Sequence, residues 1–169
     1  MNFLSKYLSP TTIASLEILY FGFRKIPMLF FVRPSVIEIS PDRVVVKVKR
    51  RRRTRNHLGS MYFGALAVGA DCAAGIIAMR LINRQSENIS LVFKDLKADF
   101  LQRALGDVHF TCNQGVEIAE LVSQTARSDV RVELPVHLTA TVPAKGDEPV
   151  AQFTLTLSLK RKTEKSLPV

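Results

Sequence analysis

The sequence predicts an α+β domain in which a curved antiparallel β-sheet wraps around one long central helix. Two observations predict this fold. Residues 61–82 form a long segment of small and apolar residues, interrupted by only two charged residues, Asp71 and Arg80. On both sides of this segment, shorter stretches alternate apolar and polar residues, as half-buried strands do. A long helix that is apolar on every side must be enclosed, and a sheet formed by these strands would enclose it.

The length of 169 residues fits one domain with a substantial core. We predict an N-terminal helical extension at residues 1–33, the sheet-and-helix domain at residues 34–161 and a flexible tail at residues 162–169. Lysine and arginine outnumber the acidic residues by 24 to 15, which gives a net charge of +9. Such a surface suits an anionic partner, whether nucleic acid, a membrane face, a phosphorylated cofactor or an acidic carrier protein.

The two cysteines, Cys72 and Cys112, lie in apolar surroundings, and no cleavable secretory signal is visible. Both features favour reduced, buried thiols and a cytoplasmic location. No activating histidine lies near Cys72 in the sequence, so a packing role is favoured over a nucleophilic one.

The N-terminal region is predicted to contain an amphipathic helix that begins near Thr11 or Thr12, with one of these threonines as its cap. Apolar residues recur at helical spacing at Ile13, Leu16, Leu19 or Tyr20, and Phe23. This apolar face either packs on the domain, which we favour, or makes peripheral contact with a membrane, helped by Lys6, Arg24 and Lys25.

Two short strands are predicted next, at residues 36–39 and 43–50, with a turn between them. The second strand leads into the run Arg50–Arg55, the densest positive charge in the chain. This run is either a solvated loop or an anion-binding segment. It lacks the interleaved aromatic residues of a nucleic-acid module, so no nucleic-acid partner is expected.

Four longer strands are predicted after the central helix, at residues 89–101, 108–113, 130–142 and 151–160, with a short helix or irregular crossing at residues 116–127. A turn at residues 103–107 is predicted to join the first two of these strands as a hairpin. Leu91, Val92 and Phe93 place apolar side chains on both faces, as expected where a sheet is covered on both sides. Pro135 marks an edge or a bulge.

Asp71 is the feature of the central helix that needs an explanation. A transmembrane span with a functional acid is one alternative, but the strands on both sides favour a helix enclosed by a sheet. In apolar surroundings the pKa of this carboxyl should rise, which would make it a better base than a solvated acid. Phe63 and Gly64 fall at the start of the helix, where backbone N–H groups lack acceptors within the helix.

The entrance of the central helix also carries a spaced motif. Asn56 is followed by Gly59-Ser60 and Tyr62-Phe63-Gly64, and Asp71 lies nine residues after Tyr62. This motif resembles the hotdog-fold acyl-CoA thioesterase superfamily, in particular the branch related to phenylacetyl-CoA thioesterase or a less characterised relative of it. Members of that branch have an Asn, a Gly-Thr-like pair, a His-Gly-Gly and an Asp nine residues after the His. Here Tyr62 replaces the His and Phe63 the first Gly, and a Phe at this place can still donate its backbone N–H.

The resemblance implies a hotdog domain that hydrolyses an acyl-CoA or acyl-carrier-protein thioester. Asp71 would act as base or nucleophile, Asn56 would orient the water or the carbonyl, and the backbone N–H groups of Phe63 and Gly64 would bind the oxyanion. The predicted substrate-binding residues are His57, Ser60, Tyr62, Phe93, Arg51 and Arg53, the two arginines facing phosphates of coenzyme A or an acidic carrier protein. No cofactor is expected beyond coenzyme A as part of the substrate, and no residues have convincing metal-ligand spacing.

The spacing along the helix indicates that two chains share the site. Gly64 and Asp71 are seven residues apart, which places them about 10 Å apart along the helix axis. An oxyanion donor and a base must both lie within about 3.5 Å of the reacting atoms. Two antiparallel copies would bring Asp71 of one chain toward the helix entrance of the other, in a homodimer or a dimer of dimers. The resemblance implies the same arrangement.

Two other functions remain open from the sequence. One is a hotdog domain that binds acyl groups, or only oligomerises, without hydrolysis. The other is a basic RNA- or membrane-associated protein, which rests on charge alone and gives Asp71 no role.

Overall fold

The computed structural model of the chain describes residues 8–84 and 88–162, which form four α-helices and six β-strands. In chain order the elements are α1 (Pro10–Arg24), α2 (Pro27–Val32), β1 (Ser35–Ile39), β2 (Val44–Val48), α3 (Phe63–Arg84), β3 (Ile89–Phe100), β4 (Val108–Cys112), α4 (Gly115–Ala126), β5 (Val132–Thr141) and β6 (Pro149–Arg161). The predicted central helix is α3, and the region predicted as a short helix or crossing is α4. Residues 163–169, most of the predicted flexible tail, lie outside the described residues.

The six strands form one antiparallel sheet in the order β1-β2-β4-β5-β6-β3. The predicted hairpin between β3 and β4 is therefore wrong, because β3 pairs with β6 at one edge while β4 lies between β2 and β5. The connection at residues 101–107 crosses the end of the sheet, and the backbone oxygen of Ala104 accepts a hydrogen bond from Met61 N at 2.9 Å. Alternation of apolar residues reports which face a side chain occupies, but not which strand lies beside it.

Helix α3 packs against one face of the sheet, and its apolar residues join those of the strands in a single core. At Gly69 the helix approaches the sheet so closely that an added Cβ would lie 2.3 Å from the Phe110 ring. By length and composition α3 could also cross a membrane, and it is the one helix in the described part of the chain that meets this test. Most of its apolar window is buried inside the domain, as expected for the core helix of an α+β fold.

Helices α1 and α2 form a compact hairpin that packs on the domain. Ser9, rather than Thr11 or Thr12, caps α1, because its Oγ accepts a hydrogen bond from Thr12 N at 3.2 Å and Pro10 takes the first helical position. At Gly22 the helices meet so closely that a Cβ would lie 2.7 Å from Phe30 N.

The buried face of α1 differs from the predicted one. Ala14, Ile18 and Gly22 face the domain, whereas Leu16, Tyr20 and Phe23 are exposed. The small side chains at 14 and 22 allow the close approach of α2 and the core, which outweighs the larger apolar area on the other face. Part of the aromatic surface of the N-terminal region therefore points toward solvent.

Strand β3 forms one edge of the sheet and is twelve residues long. We predicted that both faces of this strand are covered. Within the described chain they are not, since Val92 is 47% exposed and Leu96 is 45% exposed. Pro135 lies in the part of β5 that extends beyond its pairing with β4, which agrees with the predicted edge position. There the Gln114 side chain replaces the missing strand, bonding Pro135 O and His137 N.

Candidate active site

Asp71 lies in the middle of α3 on the wall of an apolar cavity of about 370 Å³. Among the described residues, its carboxylate has no hydrogen-bond or ion-pair partner within the chain. Burial raises the pKa of this carboxyl from 3.8 to about 6. The rise that the sequence predicted is thus present, and it comes from desolvation alone.

The neighbouring Cys72 is fully enclosed and has a different character. Burial, and then the charge of Asp71, raise the pKa of this thiol above its usual value. Because the thiolate is the nucleophilic form, Cys72 is unsuited to attack a thioester. Its packing role is confirmed, and both Cys72 and Cys112 are free, buried thiols.

The cavity beside Asp71 is enclosed by three parts of the chain. Gly75, Ile76 and Met79 of α3 line one side, and the second side is β3, where Phe93 lies. The third side is the α1–α2 hairpin, through Ile18, Phe21, Ile26 and Leu29. Sequence reasoning placed Phe93 at the site but missed the residues of the hairpin. Gly22 was the available signal, because a glycine inside an apolar helix often marks close contact with another helix.

The loop before α3 holds the other predicted site residues in a well-bonded turn. The Asn56 side-chain oxygen accepts hydrogen bonds from Leu58 N at 3.0 Å, Ser60 N at 3.2 Å and Ser60 Oγ at 3.2 Å. Gly59 adopts a positive φ of 77°, which closes the turn. With the oxygen of Asn56 engaged in this way, its side-chain nitrogen is the group that can face a ligand.

The first residues of α3 present backbone donors next to two aromatic rings. The N–H groups of Ala65 and Leu66 both donate to Tyr62 O, whereas those of Phe63 and Gly64 have no acceptor among the described residues. The Tyr62 and Phe63 rings lie in contact, with centroids 4.6 Å apart. The Tyr62 ring also lies close to Gly64, where an added Cβ would be 2.6 Å from the ring edge. A side chain at position 64 would therefore displace Tyr62.

Basic residues surround this loop. Burial, followed by the positive charges of Arg33 and Arg51, lowers the pKa of Arg53, so the charge of each of these two arginines acts on Arg53. The Arg53 Nε is buried without a hydrogen-bond partner in the described structure. Arg33 comes from the end of α2 and was not among the predicted residues. A second cavity, of about 490 Å³, is lined by Arg52, Arg55, Asn56, His57 and Gly59.

Within one chain the predicted residues fall into two groups. Asp71 and Phe93 line the apolar cavity, whereas Asn56 and His57 line the basic one. Ser60 is buried under the loop, and Tyr62 and Phe63 are exposed at the start of α3. In the described ranges no three His, Cys, Asp or Glu side chains are close enough to hold a metal ion.

The helix enclosed by an antiparallel sheet defines the hotdog fold, as the motif around Asp71 predicted. Three solved structures illustrate the likeness. A protein of unknown function from Pseudomonas aeruginosa, given as a probable thioesterase, is 22% identical with a TM-score of 0.70, over 91% of this chain and 97% of the other. A protein of unknown function from Chlorobaculum tepidum is 12% identical with a TM-score of 0.76, over 90% of this chain and 97% of the other. A thioesterase from Haemophilus influenzae is 13% identical with a TM-score of 0.62, over 82% of this chain and 85% of the other.

The particular family is defined by sequence. Residues 17–159 match the model of a domain of unknown function, DUF4442, and the chain belongs to this family. The match includes the C-terminal half of α1, all of α2, β1–β5 and α3–α4, and most of β6. A comparison with curated proteins finds no match.

Proposed function

We propose that the protein is a thioester hydrolase that acts on an acyl-CoA or an acyl-carrier protein. The observation that carries this proposal is Asp71, an unpaired carboxylate with a pKa raised to about 6 on the wall of an apolar cavity. A base with a pKa near the working pH is effective because much of it is ionised and it still holds a proton well. A core acid without such a role would only destabilise the fold.

In the proposed reaction Asp71 removes a proton from a water molecule as that water attacks the acyl carbon. The carbonyl oxygen becomes an oxyanion, which the backbone N–H groups of Phe63 and Gly64 stabilise. When the tetrahedral intermediate collapses, the carbon–sulfur bond breaks and the leaving thiolate takes the proton that Asp71 removed from water, giving a free acid and a thiol and restoring the carboxylate. The side-chain nitrogen of Asn56 would donate a hydrogen bond to the carbonyl or the water, since its oxygen is used by the loop.

The proposed site needs two chains. Seven residues along α3 separate Gly64 from Asp71 by about 10 Å, which is too far for both to reach one carbonyl group. The edge strand β3 supports self-association, because a twelve-residue edge strand presents unpaired backbone groups to which a second copy can pair, and Val92 and Leu96 on it are exposed. A homodimer, or a dimer of dimers, would then place Asp71 of one copy near the helix entrance of the other.

The two cavities suggest how the substrate would divide between them. The apolar cavity fits an acyl group, because ligand pockets are mostly apolar and of about 300–1000 Å³. The cluster of Arg33, Arg51 and Arg53 suits the phosphates of coenzyme A or the acidic surface of a carrier protein. Coenzyme A would thus be part of the substrate and not a resident cofactor.

Turnover of a panel of acyl-CoA thioesters by the wild type and by Asp71→Asn tests the proposal. We expect hydrolysis of at least one member, and a loss of about 100-fold or more in Asp71→Asn, as for removal of a general base. Asp147→Asn, in the exposed turn between β5 and β6, is the matched control and should keep full activity. Equal rates in the wild type and Asp71→Asn would overturn the assignment.

A second function, acyl binding without hydrolysis, is favoured by one observation. The Tyr62 ring fills the space beside Gly64 and contacts the Phe63 ring, so two aromatic rings crowd the two residues whose N–H groups are the proposed oxyanion donors. Calorimetric titration with a non-hydrolysable acyl-CoA analogue, combined with the turnover panel, separates the two functions. Binding in the absence of any turnover would support an acyl-binding protein.

A further inference from the structure

The α1–α2 hairpin exposes an apolar stripe on each helix, and the Phe23 ring of α1 contacts the Phe30 ring of α2, with centroids 5.4 Å apart. On α1 the stripe is Leu16, Tyr20 and Phe23, spaced by four and three residues, and Tyr20 and Phe23 are 67% and 66% exposed. On α2 it is Met28 and Phe31, spaced by three, and both are more than half exposed. Contiguous apolar and aromatic surface of this kind on a folded protein marks a contact site.

The hairpin that carries these stripes is firmly held. The Ser15 Oγ accepts a hydrogen bond from Val36 N at 2.9 Å, which ties α1 to β1. Glu17 and Arg80 form an ion pair at 3.6 Å, which ties α1 to α3. Because its inner face is packed in the core, the hairpin cannot bury the outer stripes by rearranging locally.

The charge around the stripes selects the kind of partner. No acidic residue occurs between Glu17 and Glu38, whereas Arg24, Lys25 and Arg33 lie in this segment and are exposed. Pairing this surface with a second copy of itself would bring like charges together. Aromatic side chains interspersed with basic ones instead suit an anionic lipid surface, where rings enter the interface and cations contact headgroups.

The exposed surface is continuous with the apolar cavity. Ile26, in the turn between α1 and α2, lines that cavity and is also 39% exposed. Phe21 and Leu29 continue the wall from this turn toward Asp71. A lipid surface against the tip of the hairpin would therefore contact a residue that also lines the cavity.

We propose that the exposed outer face of the α1–α2 hairpin forms a docking site for anionic lipid bilayers, with the apolar side chains of Leu16, Tyr20, Phe23, Met28 and Phe31 and the cations of Arg24 and Lys25. Docking depends on exposed apolar rings and on positive charge, and it is independent of thioester hydrolysis. A failure of hydrolysis and a failure of lipid binding would thus be separate results.

The first test measures co-sedimentation of the full chain with vesicles of phosphatidylcholine alone or mixed with phosphatidylglycerol. We expect binding to the mixed vesicles and much weaker binding to the neutral ones. Arg24→Gln with Lys25→Gln should lower the partition coefficient by about 30-fold, which corresponds to about 1 kcal/mol for each cation. The matched control, Lys145→Gln with Lys160→Gln, removes the same charge from exposed positions elsewhere and should bind like the wild type.

A second variant tests the apolar part of the surface. Phe23→Ser should lower binding by about tenfold, because an exposed ring would no longer enter the lipid interface. Val116→Ser, at an exposed apolar position on α4, is its control. Circular dichroism melting checks that each variant is folded.

Three results would overturn the proposal. The first is that the wild type does not bind mixed vesicles. The second is that both charge variants lose binding equally, because the effect would then be one of net charge. The third is that Phe23→Ser dissociates an oligomer in size-exclusion chromatography, which would identify a second copy of the chain as the occupant of the stripes.

Discussion

Replacing Asp71 by asparagine should stabilise the protein while abolishing its proposed activity. In the folded chain the pKa of Asp71 is about 6, whereas in the unfolded chain it returns to about 3.8. Each pKa unit corresponds to about 1.36 kcal/mol, so burial of the charged form costs about 3 kcal/mol at neutral pH. Asparagine removes the charge but keeps a polar amide in the cavity, so the expected gain is about 1–3 kcal/mol.

The sign of the effect fixes its pH dependence. Below pH 3.8 the carboxyl is protonated in both states and contributes nothing. Between pH 3.8 and about 6 the folded state holds the proton more tightly, so the stability of the wild type falls as the pH rises, and above about 6 the full cost remains. The difference in unfolding free energy between Asp71→Asn and the wild type should therefore grow from pH 4 to pH 7.

Urea unfolding from pH 4 to 8, at one protein concentration, measures this difference. Asp147→Asn controls for the loss of one negative charge at an exposed position. A difference that stays constant from pH 4 to 7 would refute the reasoning, because it would mean that the carboxylate has a stabilising partner in solution.

Three further predictions concern the same helix. If Asp71 is the base, kcat/KM should rise with pH through about 6 and then level off, measured with any substrate that the acyl-CoA panel identifies; a rate independent of pH between 5 and 7 would contradict this role. Gly75→Ala should stabilise α3 by about 0.5–1 kcal/mol, because its Cβ would lie 3.6 Å from Phe93. Gly69→Ala should destabilise the fold by about 1–3 kcal/mol, since its Cβ would lie 2.3 Å from the buried Phe110 ring. Urea unfolding that gave both glycine variants the same sign would show that helix propensity, and not space, governs them.

The sequence was sufficient to predict the central helix, all six strands and the fold class, because the helix follows from a long apolar run and the strands from alternation, and both patterns are local in the chain. It did not predict the neighbours of β3, since an edge strand and an inner strand can share the same alternation. It also assigned the wrong face of α1 to the core. The larger side chains, such as Tyr20 and Phe23, were the natural choice, but the small residues Ala14 and Gly22 determine which face can approach α2 and the sheet.

The candidate site, like the fold, could be predicted from the sequence only in part. Asp71 could be identified because one acid in an apolar helix is conspicuous, and the motif spacing connected it to Asn56 and Gly64. The cavity beside Asp71 could not be predicted, because its walls come from segments far apart in the sequence, including Ile18 and Leu29 of the N-terminal hairpin. Arg33 was missed for the same reason, since only the fold brings it next to Arg53.

The N-terminal hairpin connects these observations. Its residues Ile18, Phe21, Ile26 and Leu29 close the side of the cavity that α3 and β3 leave open. Because the pKa of Asp71 is raised by burial alone, the hairpin contributes to the basicity of the proposed catalytic carboxylate.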